Sequence, residues 1–365
     1  MRMVNMDNMN KPIGFSIAAL MGLALAAGCG QSQGQGSHDG QTDRFSFVEH
    51  PESHSIEVLL DGQPYTSYLY ADSLKKTVLY PLRTKGDHFV TRGWPIQPRA
   101  NERVDHPHHV GLWFNYGDVN GLDFWNNSTA IPAEKRMGYG SISHAAVNAM
   151  ESKGNTGTLD VSKYWLGSRG DSLLQEDTRY VFRVADDSTT SIELAIKLTA
   201  LTDVSFNDNK EGVLGIRLAR ELEHPSDQPA TFTDANGIVT EVPQSNNDGV
   251  TGRYVSSEGI TGDDVWGTRG KWVALNGTID GEEVSLVILD HPGNPGYPTY
   301  WHARGYGLFA ANPLGQKALS GGKEKLNFSL DSGESAQFRY RVLIHGGSQL
   351  EAAAINNAFM DFTGR

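Results

Sequence analysis

The sequence predicts an all-β fold: a large antiparallel β-sandwich, of supersandwich or jelly-roll type, with one short C-terminal helix. Three observations carry this reading. Apolar and polar residues alternate through one segment after another, the period of a strand with one buried face. Turn signals such as Asp61-Gly62 and Asp280-Gly281 punctuate those segments, in a chain holding 41 glycines among 365 residues. There is no β-α-β alternation, no Gly-rich phosphate loop and no repeat of fixed period, which sets aside doubly wound folds, solenoids and regular propellers.

Residues 1–28 read as a signal peptide. Arg2 and Lys11 supply a positive start, and Ile13 to Ala27 form an apolar run too short for a comfortable membrane span. LAAGC then matches the pattern of a bacterial lipoprotein signal, with Cys29 as the lipidated residue. Cys29 is the only cysteine, so no intramolecular disulfide is expected. Residues 29–44, rich in Gln, Ser and Gly, read as a flexible tether. Gly30 offers no acidic inner-membrane retention signal, so the expected location is the cell envelope, lipid-anchored at the outer membrane and facing the periplasm or the outside. The net charge of -12 argues against a nucleic-acid partner.

A single β domain is expected over 45–365. SIEVLLDG and QPYTSYLYA pair across a turn, and Pro81 ends the strand KKTVLYPL. Residues 131–140 look irregular. Strands follow in 141–150, NTGTLDVSKYWLG, SLLQEDTRYVFRVADD and TTSIELAIKLTALTDVSF. GVLGIRLA reads as a strand because Gly212 and Gly215 weaken a helix. Residues 234–264 read as surface loop. KWVALNGTIDGEEVSLVILD and KEKLNFSLDSGESAQFRYRVLIHGG each read as a hairpin, and AAAINNAFMDF as the helix.

The chemistry concentrates in RANERVDHPHHVGLWFNYGDVNGLDFW, from Arg99 to Trp125. Pro107 pushes His106 toward an extended backbone, which places His106 and His108 on one face and His109 on the other. Such a pair can ligate one divalent metal ion, or act as acid and base, with Asp105 orienting a ring. Taken singly, each histidine is equally an ordinary hydrogen-bonded side chain. LDHPGNPGYPTYWHARGYG carries a second set, and His291 and His302 are the further candidate metal ligands. Arg99 and Arg304 are candidates for holding an oxyanion or carboxylate, and Glu211 for a general base. Asp118, Asn115 and His109 could bond a sugar's hydroxyls, while Trp113, Trp125, Trp301 and Tyr297 could stack on its ring or sit in an ordinary core.

YPLRTKG, TRGWPIQPR, ERVDHPHHVGLWFNYGDVNGLDFW, KEGVLGIRLA, LDHPGNPGYPTYWHARGYGLFAANPLG and FRYRVLIHGG resemble the PmoA-like family of bacterial proteins. They span residues 79–347. Where that family's motif reads DHPHHRGLWF, this chain has Val110. The family's methane-oxygenase label implies transmembrane helices, and none follows the signal. The resemblance instead implies a role in polysaccharide-degrading bacteria and a sandwich of the kind used by mutarotases, lyases and lectins. The function expected is a periplasmic, lipid-anchored lyase or hydrolase acting on a glycoside through a histidine-rich, metal-binding or acid–base site. The alternative is a non-catalytic carbohydrate-binding lipoprotein.

Overall fold

The structure, a computed structural model, describes residues 42–234 and 236–364. The signal peptide, Cys29 and the tether up to residue 41 lie outside the described residues. Asp43 and Arg44 are tied to the body: Asp43 Oδ1 accepts from Gly154 N–H at 2.7 Å, and Arg44 pairs with Asp61 at 2.5 Å.

Two eight-stranded antiparallel sheets form the molecule. The first runs Phe45–His50, Ser55–Leu60, Gln63–Leu69, Val78–Leu79, Leu112–Tyr116, Gly212–Arg217, Leu308–Asn312 and Tyr300–Arg304 from edge to edge. The second runs Arg253–Ser256, Trp272–Ile279, Glu282–Asp290, Ser335–Gly346, Thr189–Ala200, Ser172–Val184, Thr156–Leu166 and Ser141–Lys153. Alternation decides which side chains meet between them. Leu112, Phe114, Leu214, Ile216, Phe309 and Trp301 of the first sheet pack in one apolar cluster with Ile196, Leu286, Phe338, Tyr340 and Val342 of the second. This is the antiparallel sandwich that the sequence predicted.

Both sheets also bury part of their outer faces. The helix Ala352–Thr363 lays Ile355 and Phe359 against Trp272, Val287, Leu289 and Leu343 of the second sheet. On the first sheet, Trp113, Leu308 and Ala310 are covered by Trp125, Val110 and Tyr80.

Four local expectations change. Arg253–Ser256, inside the stretch read as surface loop, is an edge strand paired with Trp272–Ile279. Phe328–Leu330 forms no hairpin with the strand after it; it pairs with Val204–Phe206. Both strands are too short for an alternating pattern to stand out, and their partners are remote in sequence or on a sheet edge. Residues 133–138 form a 3-10 turn, and Gln316–Leu319 a single helical turn.

Candidate functional site

The histidine segment is a tight turn, which corrects the extended backbone expected for it. His109 N–H donates to His106 O at 2.9 Å, around Pro107. Proline's fixed φ also suits the second position of such a turn, so its local effects oppose each other, and hydrogen bonds from Arg92 to the carbonyls around it select the turn. His106 itself takes a left-handed φ of 44°. All three rings therefore gather on one side. His106 lies 4.8 Å from His109 and 5.7 Å from His108, and His108 lies 4.4 Å from His109.

Two arginines hold this turn from below. Arg92 is fully buried and donates to the carbonyls of Arg103, Asp105, His106 and His109, and to Asp105 Oδ1 at 2.7 Å. Arg217, at the end of its strand, reaches the same Oδ1 at 2.6 Å. Burial alone would raise the Asp105 carboxyl. The hydrogen-bonded His106 ring, then Arg217 and Arg92, outweigh it and hold Asp105 well below the usual carboxylate range. Its other oxygen, Oδ2, stands 3.3 Å from His106 Nδ1.

Tyr306, His106, His109 and Trp113, in that order, form one parallel stack. The ring centroids are 5.2, 4.8 and 5.3 Å apart, with interplanar angles of 3°, 4° and 18°. Trp125 closes its inner end, donating its indole N–H to His109 Nε2 at 3.1 Å. Indole nitrogen can only donate, so Nε2 accepts here, and Arg217 Nη1, also a donor, faces the ring's other nitrogen, Nδ1, at 3.5 Å. Gly215 makes this packing possible, because a Cβ there would lie 2.5 Å from the Trp113 ring and 2.9 Å from Trp125.

The three histidines are not equivalent. Burial, then neighbouring His108 and Arg217, push His109 far below its ordinary range. Burial, then Lys76, push His108 down to about 2. Both rings are neutral at neutral pH. His106, with 41% of its side chain exposed, is the one that meets solvent. Lys76 lies beneath them, donating to His108 O at 2.5 Å and standing 5.1 Å over the Trp113 ring. Burial draws its ammonium down to about 7. Neither Arg92 nor Lys76 was singled out from the sequence. Their segments read as a loop and a strand, and only burial distinguishes them from surface cations.

Tyr306 also forms a wall of a cavity of about 480 Å³. Opposite it are Trp266, 37% exposed, and the His224–Asp263 pair, whose Nδ1 and Oδ1 are 2.9 Å apart. Arg304 lies between the aromatics, its guanidinium 5.4 Å from Trp266 and 5.9 Å from Tyr306. Trp266, His224 and Asp263 went unrecognised in the sequence. His224 carries no motif around it, Asp263 falls within the supposed surface loop, and Trp266 stands just beyond the end of that loop.

Several expected site residues serve elsewhere. His302 lies on the outer face of the first sheet, in one cross-strand row with Ala310, Gly215 and Trp113. Its Nδ1 donates to Lys210 O at 2.9 Å and stands 3.7 Å from Glu211. Burial takes this ring down to about 4 against the pull of Glu211. Glu211 itself is bonded to Lys210 Nζ. His291 accepts from Gly293 N–H and packs 5.2 Å from Phe362, on the C-terminal helix beside the second sheet. Tyr297 packs against that same helix cluster.

Hence the four proposed metal ligands do not converge. Among the described residues, no group of three or more His, Cys, Asp or Glu is placed to hold a metal ion. His106 and His108 meet edge-to-face at 5.7 Å, and His108 Nε2 is buried without a partner. These residues do not fit a metal centre.

Arg99 is engaged with Glu102 at 2.6 Å and Thr91 O at 2.5 Å. Asp118 accepts from Gly121 N–H and Asn207 at 2.9 Å, which is turn chemistry. Asn115 is buried, donating to Phe124 O at 2.7 Å. Trp113, Trp125 and Trp301 are at most 1% exposed. They cannot stack on a sugar, because their apolar faces are already covered by protein. The aromatic rings that line the cavity are Trp266 and Tyr306 instead.

A family model, described as a family of unknown function (DUF6807), matches residues 55–360. The chain belongs to that family. This corrects the resemblance to the PmoA-like family, to which no part of the chain was matched. No protein with a curated description matches the sequence. Among solved structures, the chain is similar to galactose 1-epimerase from Lactobacillus acidophilus NCFM, at 9% identity over 84% of this chain and 100% of that one, with a TM-score of 0.34. It is also similar to a GalM/aldose epimerase homologue from C. elegans, at 9% identity over 85% of this chain and 100% of that one, with a TM-score of 0.28. A galactose mutarotase related enzyme from Lactobacillus acidophilus aligns at 10% identity over 84% and 98%, with a TM-score of 0.28.

Proposed function

We propose that this protein is a carbohydrate-acting enzyme of the cell envelope, performing a lyase- or hydrolase-type proton transfer through His106. One observation carries the reading. The exposed histidine of the cluster is oriented by a carboxylate, and the ring stacked on it, Tyr306, walls a cavity of about 480 Å³. That volume lies in the range of small-ligand sites, roughly 300–1,000 Å³.

The chemistry follows from the proton positions. Asp105 remains ionised and accepts the Nδ1 proton of His106, which leaves Nε2 with a lone pair. Nε2 takes a proton either from a water whose oxygen bonds to the anomeric carbon as the glycosidic C–O bond breaks, or from a C–H beside a carbonyl, whose electron pair becomes a C=C bond as the β C–O bond breaks. The imidazolium so formed is stabilised by Asp105, and it returns the proton to the departing glycosidic oxygen. His108 and His109 do not take part, because burial keeps substrate from both rings and takes away the basicity a proton acceptor needs.

The pair of cavity aromatics, Trp266 and Tyr306, favours the second reading: capture of a glycan without turnover. Incubation with a glycan panel, followed by mass spectrometry of products and calorimetry of binding, separates the two. Product that disappears in His106→Asn while binding persists supports the enzyme. Binding that is lost in Trp266→Ala, with no product from any glycan, supports capture and rejects the enzyme. The LAAGC run supports anchoring through a lipid on Cys29, which labelling with radioactive palmitate tests directly.

A further inference from the structure

The cavity beside the histidine stack holds an unused cation. Arg304 makes no ion pair among the described residues; its guanidinium is bracketed by the rings of Trp266 and Tyr306. Arg103, on another wall, gives its Nε to Glu223 Oε2 at 2.7 Å. That same oxygen also takes Arg220 Nη1 at 2.5 Å. Two guanidinium groups thus share one carboxylate and leave a surplus positive charge. Asp263, also on the cavity wall, is bonded to His224, whose ring burial makes less basic, so this carboxylate keeps its charge; Arg103, Arg220 and Arg304 still outnumber it and Glu223 by one. In a chain of net charge -12, this local excess of positive charge runs against the overall balance.

We propose that this cavity is a subsite for a uronate, a sugar bearing a carboxylate, with Arg304 binding the carboxylate. The assignment rests on the carbohydrate reading above and names its substrate class. The planar fork of a guanidinium matches a carboxylate in two parallel hydrogen bonds, and flanking rings keep it flat and in place. Trp266, with its exposed face on the same cavity, is placed to stack on the apolar C–H face of the sugar ring. Ser226 and Gln228 line the wall and offer hydrogen bonds to hydroxyls. A neutral sugar would use the ring and the hydroxyl contacts but leave Arg304 without its anion.

The test is calorimetric titration of the full-length protein with oligogalacturonate, glucuronate-bearing xylan fragments and oligomannuronate. Each is compared with the same oligosaccharide after its carboxylates are reduced to alcohols. At least one acid form is expected to bind roughly tenfold tighter than its reduced form, a margin that shrinks with added salt. Arg304→Gln is expected to abolish the margin and Arg304→Lys to restore part of it. Trp266→Ala is expected to weaken acid and reduced forms alike, and it serves as the second arm should Arg304→Gln fail to fold. Equal affinity for acid and reduced forms, or a margin that survives Arg304→Gln, overturns the uronate assignment and leaves the carbohydrate reading standing. If no acidic or neutral glycan binds at all, both fall.

Discussion

His106 differs from its two neighbours in one physical respect: water reaches it. His108 and His109 share its chemistry but have lost their basicity to burial. Replacing His106 by Asn is therefore expected to cut turnover by about 10²–10⁴-fold. The thermal midpoint should fall only modestly, since the variant gives up the stacking on Tyr306 and His109 but keeps an N–H for Asp105. Product formation and a melting curve on the same preparation check both halves. Lys76 makes a prediction of the opposite kind, about stability. Its ammonium falls from an ordinary 10.5 to about 7 in the folded protein, because burial disfavours the charge. Between those values the unfolded chain holds the proton and the folded one does not. Stability from this group therefore rises with pH across that window. Lys76→Met should lack that rise, so urea midpoints of wild type and variant should diverge in wild type's favour from neutral pH toward alkaline pH. A constant difference would show that the amine keeps its charge in the fold.

The elements around the site are held by buried hydrogen bonds and by missing atoms. The His106–His109 turn depends on Arg92, which ties four of its neighbouring carbonyls together. The Gly212–Arg217 strand depends on the bare Cα of Gly215, over which two indoles lie. Gly215→Ala is expected to destabilise by about 1–3 kcal/mol, the range for overpacking a tight interior. Because the atoms it meets belong to the base of the stack, tryptophan emission should shift with it. A denaturation midpoint unchanged from wild type would mean that the two indoles move freely. At this scale the sequence was only partly informative. GLWFNY and GVLGIRLA read correctly as strands, since each carries its own period. The turn at His106 did not, because Pro107 has two opposed local effects and tertiary hydrogen bonds select between them.

In the whole molecule, a sandwich buries the inner faces of its sheets, and each outer face needs separate cover wherever it is apolar. The C-terminal helix supplies that cover for the second sheet through Ile355 and Phe359. Each such side chain contributes about 1.5–3 kcal/mol on burial. Removal of residues 351–365 is expected to lower stability by several kcal/mol on that scale and to bare Trp272 and Leu343. Dye binding to exposed apolar surface and loss of solubility would report it. The first sheet uses its outer face differently. There the cover is Trp125, Val110 and Tyr80, and the histidine stack runs through its edge to the surface. The site is a by-product of how that face is roofed.

Local pattern alone determined the class of fold, most strands and the C-terminal helix, and it drew attention to the segment around residue 106. Alternation, turn residues and a dense run of imidazoles are all carried by neighbours in the chain. The tertiary structure decided which of those groups can act. It buried Trp113, Trp125 and Trp301, set His291 beside the opposite sheet from His302, and brought Tyr306, Arg304 and Trp266 to one cavity. The reason is that exposure and convergence depend on contacts between residues far apart in sequence, and no period along the chain encodes them.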